Sequence, residues 1–170
     1  MPQVIIAPVR QSDADELIAA NIASRAHHAP WAHPFLDRDG FDAWFGQTIT
    51  GPNIGFVARD AGSGGIVGVI NISQIVWGGF RSAFLGYHGM AGFAGQGFMT
   101  EALRLAVAHA FDAVGLHRLE ANIQPGNLPS IALVKRLGFR KEGFSPKYLK
   151  IGGVWCDHER WALLVDDPRL

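Results

Sequence analysis

The sequence is poor in the residues that mark several classes of protein. It has one cysteine, Cys156, so no disulfide can close within the chain, and a reducing cytoplasm is the expected location. Its 15 Lys and Arg balance 15 Asp and Glu, giving a formal net charge of +0. That balance argues against nucleic acid or any other partner held by a basic surface. No apolar run approaches the roughly 20 residues that cross a bilayer, so no membrane span is expected. The start, MPQVIIAPVRQSD, lacks the charged opening and long apolar run of a signal peptide. No His and Cys fall at zinc-ligand spacing; His27-His28 reads as a surface pair, and no metal is expected. Repeats, linkers and low-complexity segments are absent, and 170 residues are expected to form one domain.

Glycine is abundant, and one glycine-rich stretch organises the rest. Phe84 to Ala110, FLGYHGMAGFAGQGFMTEALRLAVAHA, reads as a strand, a turn carrying Gly92, Gly95 and Gly97, and an amphipathic helix from about Met99 to Val114. Thr100 and Glu101 fall in its first turn, where a carboxylate suits the positive end of the dipole. A glycine turn entering a helix offers unpaired backbone N–H groups to an anion, with no Cβ to block the approach. Phosphate binding is therefore the first functional expectation. The turn is neither GxxxxGK[ST] nor GxGxxG, which excludes two familiar phosphate loops.

The flanking elements describe a mixed α+β chain. Val4 to Val9 reads as a strand; Ser12 or Asp13 caps a helix to about Ala26; His27 to Pro34 is a loop; Gly40 to Thr50 is a second helix. Ile54 to Arg59 and Ile66 to Val76 form a hairpin, and Ser82 to Met90 leads into the glycine turn. Arg118 to Gln124 alternates, with Leu119, Ala121 and Ile123 on one face and Glu120, Asn122 and Gln124 on the other. A strand, helix and strand in succession imply a right-handed parallel crossover. Asn127 opens a helix that stops at Gly138, and Phe139 to Phe144 and Val154 to Val165 close the sheet.

Four motifs carry a resemblance. Gly95-Gln96-Gly97-Phe98-Met99-Thr100 resembles the pyrophosphate loop of the GNAT N-acetyltransferases, with Ala94 at its Gln/Arg position and Met99 at its last Gly/Ala position. Leu85-Gly86-Tyr87 resembles the family's fourth strand, Glu120 to Ser130 its fifth strand and Asn-x-x-Ser helix start, and Arg136 to Phe144 the segment that closes the cofactor site. The Pro30-Trp31 loop, the Val76 to Phe80 hairpin and the tail from Tyr148 to His158 resemble the RimJ/RimL group, which acetylates protein N-termini, some of them ribosomal. The resemblance implies an α/β/α sandwich with a mixed, mostly antiparallel seven-stranded sheet and about four helices, acting as a monomer or homodimer.

It also implies direct attack of an amine on acetyl-coenzyme A. The expected cofactor contacts are Met90, Ala91, Gly95, Gln96, Gly97, Phe98, Met99, Thr100, Asn122, Asn127 and Ser130, with Lys135 and Arg136 near the terminal phosphate. The Met90 amide is the expected oxyanion donor. Many relatives use a tyrosine to assist the leaving thiolate where this chain has Val134; RimL-like enzymes are thought to use the Ser of Asn-x-x-Ser instead, and the resemblance places that role on Ser130. The base position of RimL-like enzymes is Lys147 here, which leaves Glu120 first and His88 second as proton acceptors. Trp31, Phe35, Tyr87 and Tyr148 are the acceptor-site candidates. A route through acetyl-Cys156 is disfavoured. Two alternatives stand beside the protein N-terminus as acceptor: a small amine such as an antibiotic or polyamine, and a non-catalytic acyl-coenzyme-A binding module.

Overall fold

A computed structural model describes residues 1–170. Seven strands, β1 (Val4–Pro8), β2 (Ile54–Asp60), β3 (Ile66–Val76), β4 (Ser82–Gly89), β5 (Arg118–Ile123), β6 (Arg140–Ile151) and β7 (Val154–Leu164), form one sheet in the order β1-β2-β3-β4-β5-β7-β6. Every neighbouring pair is antiparallel except β4 and β5. The helices are α1 (Ala14–Ala23), α2 (Arg25–His28), α3 (Arg38–Ile49), α4 (Phe98–Ala108) and α5 (Leu128–Arg136). The count exceeds the expected four because Ser24, at φ −100° and ψ 8°, divides the first predicted helix in two. A single π-helical turn, His109–Val114, extends α4 until Gly115 adopts φ +83° and stops it. No helix is long and apolar enough to cross a membrane.

The periodicities explain the layers. Ala102, Leu103, Ala106 and Val107 form a buried stripe on α4, and Ile131 and Val134 do the same on α5. Both stripes pack on one face of the sheet, against Ile70, Ile72, Leu85, Leu119 and Leu163. The other face is covered by α1 and α3 through Leu17 and Phe41, over Val57, Val69 and Met90. Trp44 Nε1 donates to Asn71 Oδ1 at 2.7 Å, which ties α3 to β3.

The parallel pair is incomplete. β4 and β5 are paired only from Ser82 to Phe84 against Arg118 to Glu120. Past that point β4 stays on β3 up to Gly89, and β5 stays on β7 up to Ile123. The sheet therefore splits between β4 and β5 into a wedge whose inner backbone groups have no ladder partner. Consecutive residues of β4 face opposite layers, so Tyr87 belongs to the α4/α5 side and His88 to the α1/α3 side.

The chain closes behind α5. Gly138 has φ +98°, and a Cβ there would stand 2.6 Å from the Pro168 carbonyl oxygen. Both the backbone conformation and the space demand glycine. Gly138→Ala should cost about 1–3 kcal/mol, the range for a residue held in left-handed backbone. Urea unfolding checks this, and a variant as stable as the parent would show that the C-terminal segment does not pack here.

Candidate functional site

The wedge opens toward the glycine loop. After β4, Ala91–Phe93 makes a 3-10 turn, and Gly95 (φ +71°) and Gly97 (φ +83°) swing the chain into α4. Gly97 occupies the N-cap, so no side chain caps the helix. From Gly95 to Thr100 no backbone N–H donates to any protein acceptor; the first amide of α4 to be satisfied is that of Glu101, on Gly97 O at 3.2 Å. No atom lies within 4 Å of the Cβ direction of Gly95. Six consecutive free amides at the positive end of a helix fit a pyrophosphate. Gln96 points back, its Nε2 donating to Gly92 O at 3.0 Å. Met99 raises no obstacle: its side chain lies against β3 and β4, so close that a Cβ on Gly68 or Gly89 would fall 2.6 or 2.9 Å from it. The cation at this helix start is Arg136, whose Nη1 donates to Thr100 Oγ1 at 3.0 Å. Lys135, expected with Arg136 near the terminal phosphate, sets its ammonium 5.5 Å from the centre of the Trp161 ring.

One side of the wedge carries two hydroxyls. Asn127 caps α5, its Oδ1 accepting from the Ser130 amide at 3.4 Å. The same turn brings Ser130 Oγ to 2.6 Å from Tyr87 Oη. Burial pushes the Tyr87 phenol up to about 12, against a smaller opposing effect of the Ser130 hydrogen bond. Tyr87, expected at the acceptor site, is thus a partner of Ser130. Val134 is fully buried in the core and has no hydroxyl to offer.

The other side carries imidazoles. Asn21 Nδ2 donates to Phe35 O at 3.0 Å, which turns Asn21 Oδ1 toward His88 Nε2 at 3.1 Å. A carbonyl oxygen only accepts, so His88 Nε2 holds the hydrogen and Nδ1 keeps its lone pair. His28 Nε2 likewise donates to Gly89 O at 2.8 Å, leaving His28 Nδ1 buried and unpartnered. The two rings meet edge to face with centroids 4.9 Å apart. Burial pushes His88 down to about 3, with the charge of His28 adding to the effect, and burial also lowers His28. Both are therefore neutral acceptors at physiological pH.

Several expectations are corrected here. The Met90 N–H is not free for an oxyanion, because it donates to Val67 O at 2.8 Å. Strand alternation turns Gly89 the opposite way, into the wedge, and the next amide, Ala91, donates to Ser24 Oγ at 3.0 Å. Glu120 is bound by Arg118 Nε at 2.8 Å, in a network that includes Glu142, and so is unsuited as a base. Phe35 packs in the α3 aromatic cluster, edge-on to Phe41 at 5.5 Å and tilted against Trp44 at 5.4 Å.

The remaining candidates lie near the end of β5 and on the β6–β7 hairpin. Trp31 lies over Gly126, where a Cβ would come within 3.0 Å of its ring, and its carbonyl accepts from Gln124 Nε2 at 3.4 Å. Asn122, on β5, leaves its Oδ1 buried without a partner. Tyr148 stands on β6 with its ring 6.1 Å from that of His158. Cys156 sits beside the β6–β7 turn, with Sγ on Val154 O at 3.5 Å.

The sequence reading missed Asn21, Ser24 and His28, although the pattern was there. Ala14, Leu17, Asn21, Ser24 and His28 recur at helical spacing and all are buried. The stripe simply changes from apolar to polar as it reaches β4.

Three comparisons bear on this arrangement. A family profile described as "Acetyltransferase (GNAT) domain" matches residues 3–140. The chain is 43% identical over 102 residues to the probable N-acetyltransferase YjcK of Bacillus subtilis, covering 60% of this chain and 56% of that protein. It is 42% identical over 102 residues to the [ribosomal protein uS5]-alanine N-acetyltransferase of Escherichia coli, covering 60% and 53%. The matched segments thus span little more than half the length of these curated relatives. Among solved structures, the ribosomal-protein-S5-alanine acetyltransferase of Vibrio fischeri superposes with TM-score 0.87 at 29% identity, covering 98% of this chain and 95% of that one. Mycobacterium smegmatis RimJ, solved with CoA-disulfide, gives 0.84 at 32% identity, covering 95% and 81%.

The buried imidazoles make stability depend on pH. His88 has an ordinary value of 6.5 and a folded value of about 3. Above pH 6.5 neither folded nor unfolded chain is charged at this ring, and its neutral burial is at no disadvantage. Below it the unfolded chain takes up a proton that the folded chain refuses, and stability falls by up to about 1.4 kcal/mol per pH unit until pH reaches the folded value. Denaturation of the parent and His88→Gln between pH 6.5 and 4 should give a shallower loss for the variant, by about one proton. Equal slopes would mean that His88 titrates normally.

Proposed function

The chain belongs to the acetyltransferase (GNAT) domain family, and we propose that it transfers acetyl from acetyl-coenzyme A to the N-terminal α-amine of a protein. The observation that carries the choice of acceptor is the neutrality of the α1/α3 side of the wedge. It offers two uncharged imidazoles, while the carboxylates of Glu120 and Glu159 are held, one by Arg118 and the other by Lys141 and Trp161. A lysine or polyamine ammonium, near pKa 10.4, is neutral in only about 1 molecule in 2,500 at pH 7 and needs a carboxylate to bind and deprotonate it. An α-amine, near 8, is neutral in about 1 in 10, and a neutral acceptor suffices. The named activity of the Escherichia coli and Vibrio fischeri relatives supports the same acceptor. The spermidine N-acetyltransferase of Vibrio cholerae has TM-score 0.81 but 21% identity, and supports the fold alone.

In this reading the Gly95 to Thr100 amides hold the pyrophosphate, with Arg136 adding charge at the same helix start. When bound, acetyl-coenzyme A supplies an acyl group already activated as a thioester. The residues here do the rest. Gly89, facing into the wedge, is placed to offer its N–H to the oxyanion. His88 Nδ1, oriented by Asn21, accepts a hydrogen bond from the incoming amine. Ser130 donates to the leaving sulfur from the opposite side. Two neighbouring positions of one strand, 87 and 88, therefore serve leaving group and attacking group on opposite faces.

Two experiments test the proposal. Acetyl-coenzyme A should raise the thermal midpoint by mass action, and Gly97→Glu should abolish the shift, since it puts a carboxylate and a strained left-handed residue where the anion belongs. A folded variant with an undiminished shift would remove the loop from the cofactor site. In a screen of N-terminal peptides and small amines with acetyl transfer read by mass, peptides should be acetylated at the α-amine, with kcat/KM rising toward a plateau above pH ~8. Transfer to polyamines or lysine side chains alone would overturn the choice of acceptor.

A further inference from the structure

We infer that Tyr87 is a positioning residue that aims the Ser130 hydroxyl at the departing sulfur, so that the pair acts as an oriented hydrogen-bond donor and not as a proton donor. The inference rests on the acetyl-transfer reading above and assigns Tyr87 a role on the leaving-group side. Tyr87 Oη and Ser130 Oγ are 2.6 Å apart, and neither oxygen has another protein partner. Two hydroxyls that share one hydrogen bond have one hydrogen left over. Which one is left over follows from acidity and burial. The phenol is the more acidic group and the better donor, and the alkyl hydroxyl is the better acceptor. Were Ser130 to donate instead, the Tyr87 hydrogen would be left without a protein acceptor in a part-buried place, at the cost of an unmade hydrogen bond. Tyr87 therefore donates, and the Ser130 hydrogen is free to point elsewhere.

The two backbones hold that direction. Tyr87 lies on β4, which β3 pairs on its outer edge, and Ser130 lies in the first turn of α5, with its amide held by Asn127. Neither residue can follow the other if the bond between them is lost. Burial, which raises the phenol, also opposes loss of the Tyr87 proton. Burial holds the phenol at about 12, whereas a free thiol lies near 8.5, so moving the Tyr87 proton to sulfur would be uphill by about 3.5 pK units. In the balanced step, the amine nitrogen forms the C–N bond, the C–S bond breaks with its electron pair on sulfur, and the surplus amine proton passes to solvent through the His88 side. Ser130 O–H stabilises the thiolate by donation, and Tyr87 keeps its proton throughout.

The test uses Tyr87→Phe, Ser130→Ala and the double variant, with two readouts. Turnover should fall about 10-fold in Tyr87→Phe with KM values and thermal midpoint nearly unchanged, and Tyr87→Phe should have no further effect once Ser130 is alanine. Additive losses would overturn the inference. The second readout needs no turnover: the pKa of the thiol of bound coenzyme A, followed by thiolate absorbance, should rise by about one unit in Tyr87→Phe and be unchanged by Tyr87→Phe in the Ser130→Ala background. An unmoved thiol pKa in Tyr87→Phe would also overturn it. Should Tyr87→Phe not fold, fluorotyrosine at position 87 keeps the shape with a more acidic hydroxyl and should move the thiol pKa downward; no movement refutes the role. A parent protein that binds coenzyme A yet acetylates no amine would count against the proposed function, while the thiol titration would still judge Tyr87.

Discussion

The parallel contact between β4 and β5 ends after three residue pairs, and the site depends on that early ending. Each strand is secured on its outer edge, β4 by β3 and β5 by β7, so the sheet can part in the middle without losing either half. In a complete ladder the inner backbone groups would satisfy one another, and nothing could enter. An open ladder presents those groups to whatever fills the gap. The large core on the α4/α5 face, from Phe56 to Leu163, keeps both halves in register despite the gap.

Chemistry is sorted by the faces of a single strand. Side chains at 87 and 88 must diverge, one to each layer. Tyr87 meets Ser130 among apolar residues of the α5 side, and His88 meets Asn21 and His28 beneath α1 and α2. Burial acts on both in the direction of neutrality: it raises the phenol and lowers the imidazoles. The charged groups near the sheet are consumed in pairs, as with Arg118 between Glu120 and Glu142. A wedge lined by neutral donors and acceptors suits an amine that arrives uncharged and a leaving group that departs with charge stabilised by hydrogen bonding.

The break at Ser24 shows how local irregularity accompanies the placing of these groups. Ser24 ends α1, and α2 follows it with His28 turned onto Gly89. The Ser24 hydroxyl then takes the Ala91 amide, the first beyond β4 and Met90. Ser24 and His28 both continue the stripe of Ala14, Leu17 and Asn21 across the break.

Local pattern determined much of this protein. The apolar stripe of α4, the alternation of Leu119, Ala121 and Ile123, and the caps at Asn127 and Gly138 are encoded in a few neighbouring residues each, and the elements follow directly. The glycine loop was legible for the same reason: free amides at a helix start are a property of one short stretch. What the tertiary structure decided is which distant groups meet. Glu120 looked available until Arg118 closed on it, Met90 until Val67 took its amide, and Lys135 until the helix turned it to Trp161, leaving Arg136 of the expected pair at Thr100. Tyr87 and Ser130 are 43 positions apart, and His88 and Asn21 are 67 apart. Hydrogen bonds and burial across such separations depend on strand register and helix placement, which no short window of sequence contains.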